Sequence, residues 1–484
     1  MSQVKDVCFE NHGAINVSDD TLDNWNTNMS KLRFSKFAHP YCKDGIVALY
    51  HSLTHDVLYL DKRIHDLVTE KIGSKILPQE STIFCELIKH GLLVSSNFNE
   101  DAIINKIRKR FLGKPSIGIL YLLLTDICNL KCKYCFIENA IPENHAFTLM
   151  DEKIALNGIK YFAELLKKNP VDRKIEKPQI IFYGGEPLLN QSVFLASLNE
   201  ITKLKNTGLL PENTAIILLT NGTKINQKIL KAIIKNKVSV SLSLDGHSKE
   251  HDANRIFLNG KGTYKRVMAS LKKLKEAGAN VCISCTVSPD NVDRLVPIFN
   301  WLIHNLKFKN LGFNMLLDLP QFSQTNQEYM EQVTNKLIEC YKIARLYGVY
   351  EDRIMRKVKT FVKKNLYLAD CGGYGNQIVI SPTGKIGPCH AYASTLENFS
   401  GDIKSMEFNP YNDPIFVQWS KRSPFNISEC LNCEAIGICG GGCAYNASLK
   451  TGDIWKVDTN FCIHSKKILE WLIWDLYQKT VERR

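Results

Sequence analysis

Short apolar runs alternate with amphipathic stretches along the middle of the chain. Runs of this length are expected for strands of a parallel sheet that helices cover on both faces. Six runs predict strands, at residues 117–125, 179–183, 215–220, 238–244, 281–287 and 310–316. The intervening and following stretches predict helices, at residues 151–168, 191–205, 226–235, 264–277, 292–304 and 327–347.

Six successive strand–helix units predict an α/β fold with a parallel sheet. The sheet is wound either as a partial barrel or as a doubly wound sheet. In both arrangements ligands bind where the carboxyl ends of the strands meet. Functional residues are therefore expected directly after each predicted strand.

The pattern before residue 116 predicts a small α+β module. Two β-prone runs around a polar centre at residues 46–60 predict a hairpin. Helical periodicity follows at 62–72 and 81–90, and Gly91 ends the second helix before a short strand. Helices followed by such a strand suggest a winged-helix-like domain.

After residue 350 the strand–helix alternation stops. Residues 365–462 are rich in turns, glycine and cysteine and contain few long periodic elements. Such a segment cannot bury a large core and is expected to need metal for stability. The chain closes with an amphipathic helix predicted at 465–481. The pattern thus divides the chain into residues 1–115, 116–350 and 351–484.

Charge and hydropathy exclude several function classes. The 62 basic and 49 acidic side chains give a net charge of +13, and no motif supports nucleic-acid binding. The basic run at 106–110 predicts a linker, and the basic stretch at 353–364 predicts a solvated helix face. No apolar run is long enough to span a bilayer, and the first residues lack the features of a signal peptide. A cytoplasmic protein without a membrane partner is expected.

Cysteine usage is the unusual feature of the composition. Sixteen cysteines without a secretion signal favour metal or redox chemistry over a disulfide framework. Cys128, Cys132 and Cys135 form a C-x3-C-x2-C motif directly after the first strand of the predicted sheet. Three thiolates can hold three irons of a cubane and leave the fourth iron open to a substrate or cofactor. A three-cysteine zinc site and buried thiols are the alternatives.

This motif and the following strand ends resemble the radical S-adenosylmethionine (SAM) enzymes. Tyr134 stands before the third cysteine as in that superfamily, and residues 184–187 resemble its GGEP motif. The resemblance implies a partial (β/α)6 radical SAM barrel that binds SAM and a [4Fe-4S] cluster at the three cysteines. The residues that it implies for the SAM site are Tyr134, Gly184, Gly185, Glu186, Asn221, Ser243, Asp245 and Arg255.

The resemblance also suggests a role for several of these side chains. The two glycines let the backbone approach a ligand closely, and Glu186 offers charge to the ammonium group of methionine. Ser243 is a candidate contact to the ribose or carboxylate, and Arg255 can pair with that carboxylate. Each motif alone could be an ordinary turn or a surface charge. Their succession at strand ends after the cysteine loop is what supports the resemblance.

The cysteines after residue 370 resemble the SPASM extension of radical SAM enzymes that modify peptides and proteins. They follow the pattern C-x12-G-x4-C, then C-x2-C-x5-C-x3-C, then a last cysteine. The resemblance implies two auxiliary [4Fe-4S] clusters, three clusters in all. One would use Cys371, Cys389 and Cys443. The other would use Cys430, Cys433, Cys439 and Cys462. Zinc is the alternative, because paired cysteines commonly bind it.

Some relatives carry an eighth cysteine just upstream of this pattern, and residues 363–370 contain none. One auxiliary cluster is therefore expected to keep an open iron, where a substrate group such as a peptide thiolate binds. Cys340 as the fourth ligand is the competing hypothesis. The cysteines outside the motifs are otherwise expected to be small buried residues. They are Cys8, Cys42, Cys85, Cys282, Cys285 and Cys340.

The resemblance implies a peptide maturase. Such an enzyme uses the 5′-deoxyadenosyl radical to remove a hydrogen atom and installs a crosslink, for example a thioether, in a ribosomally synthesised precursor peptide. Residues 1–115 resemble its precursor-recognition domain, in which a leader peptide adds as a strand to a winged-helix sheet. An electron donor such as a flavodoxin or ferredoxin is implied as a further partner.

Two other functions remain open. An anaerobic sulfatase-maturing enzyme oxidises Cys or Ser to formylglycine, and such enzymes typically carry an aspartate where this chain has His390. A histidine can also serve as a base, so His390 is a candidate catalytic base, but the departure disfavours this function. A non-catalytic iron–sulfur protein is the third hypothesis, and the intact SAM motifs oppose it.

Overall fold

A computed structural model shows how the chain folds. It describes residues 31–74, 80–139, 141–143, 145–169, 177–319, 327–405 and 407–482. Cys8, one of the cysteines outside the motifs, lies outside this part of the chain. None of the described helices is both long enough and apolar enough to cross a membrane.

A small α+β unit occupies residues 31–111. Its five strands are β1 (Leu32–Phe34), β2 (Ala38–Lys43), β3 (Ile46–His51), β4 (Val57–Asp61) and β5 (Leu93–Ser95). Its helices are α1 (Lys62–Lys71), α2 (Ser81–Lys89) and α3 (Asp101–Phe111). Strands β2, β3 and β4 form an antiparallel meander, and β1 pairs with β5. The predicted hairpin and both predicted helices are therefore confirmed.

The basic run at 106–110 is part of helix α3, so the linker prediction is wrong. Ile104 and Ile107 on the other face of this helix are buried in an apolar cluster. The charged residues are the polar face of an amphipathic helix. Arg108 Nε donates a hydrogen bond to the Phe425 carbonyl oxygen at 2.7 Å, which fixes the helix to the C-terminal part of the chain.

Six parallel strands form the centre of the molecule. They are β6 (Ile119–Leu123), β8 (Gln179–Tyr183), β9 (Ala215–Thr220), β10 (Ser239–Ser243), β12 (Val281–Thr286) and β13 (Asn310–Asn314). Each pairs with the next one along the chain. The strands therefore follow one another across the sheet in chain order, as in a partial barrel. A doubly wound sheet would reverse this order at one point, so that alternative is excluded. Among the described strands, β6 and β13 do not pair, so the barrel is open.

Helices surround these strands where the amphipathic pattern predicts them. Those that follow the strands are α5 (Glu152–Lys167), α6 (Gln191–Asn206), α7 (Gln227–Lys235), α9 (Tyr264–Glu276), α10 (Leu295–Asn300) and α11 (Gln327–Leu346). Two short helices, α4 (Phe136–Asn139) and α8 (Ser248–Asn254), lie in loops at the carboxyl ends of strands. A π-helical segment at Trp301–Asn305 continues α10.

Three of the six strands alternate between polar and apolar residues, contrary to the prediction of continuous apolar runs. In β10, Ser239, Ser241 and Ser243 face the barrel interior, while Val240 and Leu242 are fully buried on the other side. Strands β12 and β13 follow the same rule. Period-two alternation of this kind is expected when one sheet face meets water or a ligand.

The C-terminal part extends the same sheet. Strand β14 (Tyr350–Glu351) pairs with β13, and β15 (Gln377–Ile380) pairs in parallel with β6. Strands β16 (Lys385–Gly387) and β17 (Gly401–Asp402) continue outward from β15 in antiparallel order. The predicted boundary at residue 350 therefore falls within one ten-stranded sheet.

Helices complete the C-terminal part. They are α12 (Asp352–Lys363), α13 (Pro414–Ser420), α14 (Ile436–Cys439), α15 (Ala444–Thr451) and α16 (Thr459–Val481). Carboxylates of Glu351, Asp413 and Asp458 accept backbone N–H groups in the first turns of α12, α13 and α16. The prediction of a solvated basic face on α12 is wrong at Lys357, which is only 1% exposed.

Candidate active site

The first cysteine group consists of Cys128, Cys132 and Cys135, in the loop after β6. A short strand of this loop, β7 (Leu130–Cys132), pairs with β11 (Arg255–Phe257). The Cys128 Sγ accepts a hydrogen bond from the Leu130 N–H at 3.4 Å. Burial raises the pKa of the Cys128 thiol to about 12, and the neighbouring thiols of Cys132 and Cys135 add to the rise. The loop thus brings the three thiols together.

Gly184 and Gly185 allow the end of β8 to lie directly against this loop. The Gly185 N–H donates to the Thr125 carbonyl oxygen at 2.9 Å. A Cβ on either glycine would overlap a carbonyl oxygen of the loop. The sequence predicts room for a ligand here, whereas the structure fills much of that room with the loop backbone. Both glycines also line the cavity of the barrel.

Glu186 is fully buried and ties the ends of β8 and β9 together. Its carboxylate accepts hydrogen bonds from the Leu188 N–H at 3.0 Å, the Thr220 hydroxyl at 2.7 Å and the Asn221 N–H at 2.8 Å. Burial raises the pKa of Glu186 to about 7, although these bonds oppose the rise. The carboxylate therefore positions Asn221, whose amide Nδ2 lies 3.9 Å from the Cys128 Sγ.

Arg255 pairs with Asp245 at the end of β10. The Arg255 Nε lies 2.9 Å from an oxygen of the Asp245 carboxylate, which also accepts the Thr286 N–H at 2.9 Å and the Tyr134 hydroxyl. The guanidinium lies over the Tyr134 ring, 5.2 Å from its centroid. The sequence predicts a ligand carboxylate as the partner of Arg255, and the structure supplies a protein carboxylate instead. The pair fixes the cysteine loop to β10.

A cavity of about 1470 Å³ occupies the barrel interior. The first cysteine group lines it together with Tyr134, Asn221, Ser243 and Arg255. The fully buried carboxylates of Glu186 and Asp245 lie behind its wall. The two walls differ in chemistry, because β6 and β8 contribute tyrosines whereas β10, β12 and β13 contribute hydroxyl and amide groups.

The second cysteine group consists of Cys371, Cys389 and Cys443, which line the same cavity. Burial, together with the neighbouring Cys371 and Cys443 thiols, raises the pKa of Cys389 well above its usual value. The Cys371 Sγ accepts the Gly373 N–H at 3.4 Å, and the Cys443 Sγ accepts the Asn446 N–H at 3.5 Å. Such bonds stabilise thiolates.

The third cysteine group consists of Cys430, Cys433, Cys439 and Cys462. Burial raises the pKa of the Cys462 thiol, and the thiols of the other three members add to the rise. The Ser465 hydroxyl donates to the Cys439 Sγ at 3.5 Å. The chain therefore brings together the same four cysteines that the sequence pattern groups.

The donor set of the three cysteine groups fits iron–sulfur clusters, because thiolates are the ligands that hold such clusters. In the described part of the chain, no three Cys, His, Asp or Glu side chains are arranged as the ligands of a single metal ion.

Cys340 lies apart from the second group. It is fully buried in α11, and the thiol of Cys340 contributes to raising the pKa of buried Cys285. The negative charge of Glu351 adds to the effect of burial in raising the pKa of Cys340 itself. Cys340 therefore faces Cys285 and Glu351, which disfavours it as the fourth ligand of a cluster at the second group.

His390 follows Cys389 and lies between the first and second cysteine groups. Its ring stacks on Tyr121 with centroids 5.1 Å apart and meets the edge of Tyr183 at 5.4 Å. Its buried Nδ1 has no hydrogen-bond partner in the described part of the chain. Burial lowers the pKa of His390 to about 4, so the imidazole is neutral near pH 7. A neutral imidazole with a vacant Nδ1 can accept a proton.

The aromatic neighbours of His390 were not identified from the sequence as site residues. Tyr121 is central in an apolar strand, and Phe136 begins the short helix after the third cysteine. The structure shows that Tyr121, in β6 beside β8, lines the cavity and therefore belongs to the site. Alternation within the strand was the available signal.

Comparison with protein families places this site in a known class. Residues 122–302 match the family model of the radical SAM superfamily. The chain therefore carries a radical SAM domain and is an enzyme. Such a domain implies SAM and one [4Fe-4S] cluster as cofactors.

Two characterised relatives cover different shares of the chain. The radical SAM cyclopropyl synthase TigE of Paramaledivibacter caminithermalis is 25% identical over 482 residues, covering 92% of this chain and 96% of TigE. A cysteine-type anaerobic sulfatase-maturating enzyme of Clostridium perfringens is 25% identical over 346 residues, covering 68% of this chain and 89% of that enzyme.

Two solved structures share the fold. The structure of anSMEcpe with bound AdoMet has a TM-score of 0.62 at 21% identity and covers 76% of this chain and 96% of its own. Streptococcus suis SuiB bound to its precursor peptide SuiA has a TM-score of 0.53 at 16% identity and covers 89% of this chain and 99% of its own. Both support an α/β radical SAM fold.

Proposed function

We propose that this enzyme is a peptide maturase that installs a crosslink, a thioether or a related bond, in a ribosomally synthesised precursor peptide. The proposal rests on how much of this chain each relative matches. The match to TigE leaves 8% of this chain uncovered, and the match to SuiB leaves 11%. Both uncovered shares are shorter than the N-terminal unit at residues 31–111, so both matches extend beyond the radical SAM domain. The sulfatase-maturating relative matches 89% of its own length but only 68% of this chain.

Three functional parts follow from this assignment. Residues 1–115 would recognise the precursor, residues 116–350 would form the radical SAM core, and residues 351–484 would form a SPASM domain. Three [4Fe-4S] clusters would occupy the three cysteine groups. The parallel pairing of β15 with β6 supports a close functional connection between the last two parts, because it joins them in one sheet.

The edge of the N-terminal meander offers a place for the leader peptide. Pro40 lies in edge strand β2 and has no N–H group, so a strand added along β2 would lose a hydrogen bond there. Strand β4 forms the opposite edge and contains no proline. We therefore propose that the leader adds to β4 as an extra strand.

Residues of the barrel would hold SAM beside the first cysteine group. Tyr134, Ser243, Asn221 and Arg255 present polar groups to the cavity from three strand ends and the loop. Glu186 and Asp245 act from behind by fixing these groups. Gly184 and Gly185 keep the end of β8 close to the loop, so that the cofactor site and the cysteines share one wall.

The proposed reaction replaces one C–H bond and one S–H bond of the peptide by a C–S bond. When bound, SAM and the clusters supply the radical that takes one hydrogen atom and accept the electron that bond formation releases. The thiol proton needs an acceptor in the cavity. His390 is the candidate, because it follows Cys389, lines the cavity and has an Nδ1 without a hydrogen-bond partner among the described residues.

The second cysteine group supports binding of a peptide thiolate. Its three cysteines line the cavity, and Cys340, the competing fourth ligand, is not among the lining residues. A cubane held by three thiolates keeps one iron for an outside ligand. Tyr121, Tyr183 and Phe136 form an apolar wall beside this position, which would keep water from the reacting carbon.

One experiment tests the function. The enzyme, reconstituted anaerobically with iron and sulfide, is incubated with SAM, dithionite and either of two peptides. One is the short peptide encoded beside its gene, and the other is a cysteine-containing sulfatase peptide. We expect 5′-deoxyadenosine and loss of two hydrogen atoms from the first peptide, detected by mass spectrometry. Formylglycine in the second peptide, with the first unchanged, would establish sulfatase maturation instead.

Leader recognition has its own measurement. The N-terminal sheet packs on the rest of the chain, since the Tyr59 hydroxyl donates to the Ile473 carbonyl oxygen at 2.6 Å. Deleting the sheet would therefore expose apolar surface and obscure the result. Hydrogen exchange with and without the leader peptide avoids this problem. We expect slower exchange in β4 and no change in β2, and the reverse would move the leader to the other edge.

A further inference from the structure

Arg422 is a buried cation without a carboxylate partner. Its side chain is fully buried, directly after helix α13. Within the described residues it makes no ion pair, and its donors reach only neutral oxygens. Nη1 donates to the Tyr374 hydroxyl at 2.9 Å and the Gly441 carbonyl oxygen at 2.7 Å, and Nη2 to the Lys456 carbonyl oxygen at 3.1 Å. Nε donates to the Ile454 carbonyl oxygen.

These bonds satisfy the donors of Arg422 but leave its charge uncompensated. Burying a full charge without a counter-charge is strongly unfavourable. Backbone carbonyls supply dipoles only. A sequence that keeps arginine at such a position is therefore expected to provide negative charge nearby in the functional protein.

The residues around Arg422 lead directly to the second and third cysteine groups. Gly440, Gly441 and Gly442 connect Cys439 of the third group to Cys443 of the second, all three with left-handed backbone. Their carbonyl oxygens accept, in order, the Asp370 N–H at 3.0 Å, Arg422 at 2.7 Å and the Tyr374 hydroxyl at 2.8 Å. Arg422 therefore lies at the junction of the two groups.

Charge effects on the thiols agree with this position. Arg422 is among the positive charges that lower the pKa of Cys371 and Cys443 in the second group and of Cys430 in the third, against the larger effect of burial. One guanidinium thus acts on both groups.

Lys357 is a second buried cation, and it lies beside the third group alone. Its Nζ is 3.4 Å from the carbonyl oxygens of Ile438 and Cys439 and 4.5 Å from the centre of the Phe461 ring. It makes no ion pair with any described carboxylate and is 1% exposed. Lys357 is thus a buried cation without an ion pair, like Arg422, but only one cysteine group lies beside it.

We propose that Arg422 and Lys357 are the counter-charges of the two auxiliary clusters, Arg422 shared by both and Lys357 serving the third group only. The inference rests on the proposed cluster assignment. A cubane held by thiolates is anionic and gains a further negative charge on reduction, so a fixed cation nearby stabilises the reduced state. Both cations therefore make their clusters better electron acceptors.

Redox titration followed by electron paramagnetic resonance tests this role. Cys128, Cys132 and Cys135 are replaced by alanine in every sample, so that only auxiliary clusters report. Adding Cys389→Ala or Cys433→Ala assigns each signal to its group. Arg422→Gln keeps polar contacts but removes the charge, and both midpoint potentials should become more negative. Arg422→Lys keeps the charge and should lie closer to the parent protein.

Two further variants make the test decisive. Lys357→Met should shift the potential of the third group and leave the second unchanged. The matched control, Arg345→Gln, removes a surface cation paired with Asp475 and should shift neither. Iron content is measured throughout, because absent auxiliary iron in the parent protein would refute the cluster assignment itself.

Each possible outcome either supports or overturns the counter-charge role. Full iron content with unchanged potentials in Arg422→Gln would overturn the inference while leaving the proposed function intact. If Arg422→Gln does not fold, Lys357→Met decides. A shift confined to the third group supports the counter-charge role, and an equal shift of both groups or no shift overturns it.

Discussion

The second and third cysteine groups are interleaved in sequence but lie in different surroundings. Cys371, Cys389 and Cys443 line the cavity, opposite the first group and beside His390. The third group lies behind them, against the N-terminal unit. There Gly437, between Cys433 and Cys439, contacts the Ser52 carbonyl oxygen so closely that a Cβ would overlap it.

This difference suggests a division of roles. Three thiols that face a cavity can leave an iron for a substrate, whereas four thiols enclosed by protein can complete a cluster that stores or transfers an electron. The segment that carries the third group also contacts a distant part of the chain, because Gly437 in α14 lies against Ser52 and His55 in the loop between β3 and β4. We expect loss of the second group to affect chemistry and loss of the third to affect stability as well.

Replacing one cysteine of each group gives the largest expected effect. Cys389→Ala should abolish peptide modification, while SAM is still cleaved to 5′-deoxyadenosine by the intact first group. Iron should fall by about four atoms per chain. Cys433→Ala should lose a similar amount of iron but also lower the denaturation midpoint more, because a cluster at the third group would join the segment at residues 430–439 to α16. Iron analysis, product assays and anaerobic urea denaturation provide the readouts.

A cysteine outside the three groups provides the control for these two substitutions. Cys42→Ala, at an exposed position outside the three groups, should retain iron, activity and stability. Peptide modification at the normal rate in Cys389→Ala would show that the cavity-facing group is not needed for chemistry. The proposed division of roles would then fail.

Replacing His390 tests whether the chemistry occurs beside the second group. His390→Phe keeps a ring against Tyr121 and Tyr183 but removes the proton acceptor. We expect peptide modification to slow by about 10²-fold, a common value for loss of a general base. Formation of 5′-deoxyadenosine should change little. Liquid chromatography with mass spectrometry measures both products in one reaction.

Tyr121→Phe is the matched control for His390→Phe, because it keeps the stacked ring and removes only a hydroxyl. It should modify the peptide at close to the normal rate. Equal rates in His390→Phe and Tyr121→Phe would show that the proton leaves by another route. The role of His390 would then be to shape the wall of the cavity.

Local pattern predicted the strand–helix units, whereas the order and register of the strands decided that they form a partial barrel. The strands at 179–183 and 215–220 begin and end where predicted, because short β-prone runs bounded by turns define them. The polar interior of β10 follows from its alternation, which the prediction of continuous apolar runs overlooked. Pairing of β15 with β6 joins residues more than 250 positions apart, a separation that local pattern does not encode.

The sequence predicts the cysteine groups of the site, but it does not predict the residues that support them. Spacing is a strong signal because loop length limits which thiols can meet. Arg422 lacks any such signal, since a lone arginine in a polar stretch is usually solvated. Glu186 and Asp245 were predicted as ligand contacts, and burial turns both of them into groups that position their neighbours.

Two buried glutamates, Glu351 and Glu186, contribute to the pH dependence of the free energy of unfolding. Burial raises the pKa of Glu351, at the start of α12, to about 7 from a usual value of 4.5, and Glu186 behaves in the same way. Between these pH values the folded protein binds the proton more tightly than the unfolded chain does. The contribution of each glutamate to the free energy of unfolding should therefore decrease by about 3 kcal/mol as pH rises through this interval. The buried histidines His55, His251 and His390 contribute in the opposite direction, because burial lowers their pKa from 6.5 to about 4.

Single substitutions separate the two contributions. Relative to the parent protein, Glu351→Gln and Glu186→Gln should each lose one of these decreasing contributions. The free energy of unfolding of either variant should therefore rise by about 3 kcal/mol more than that of the parent over the same pH interval, as measured by anaerobic urea denaturation at several pH values. Glu86→Gln, which removes a half-exposed carboxylate on α2, is the matched control and should keep the full dependence. An unchanged slope in both variants would contradict the inferred pKa values.

The smallest expected effect tests the attachment of the N-terminal unit near the third group. Tyr59→Phe removes the hydrogen bond from the Tyr59 hydroxyl to the Ile473 carbonyl oxygen in α16 and leaves the ring in place against Trp474. We expect a loss of about 1 kcal/mol in the free energy of unfolding, with normal iron content. Tyr347→Phe, at an exposed position, should cost nothing measurable. Equal stability of the two variants would mean that this bond does not contribute to holding the N-terminal unit, which would then depend on its other contacts, such as the hydrogen bond from Arg108 to the Phe425 carbonyl oxygen.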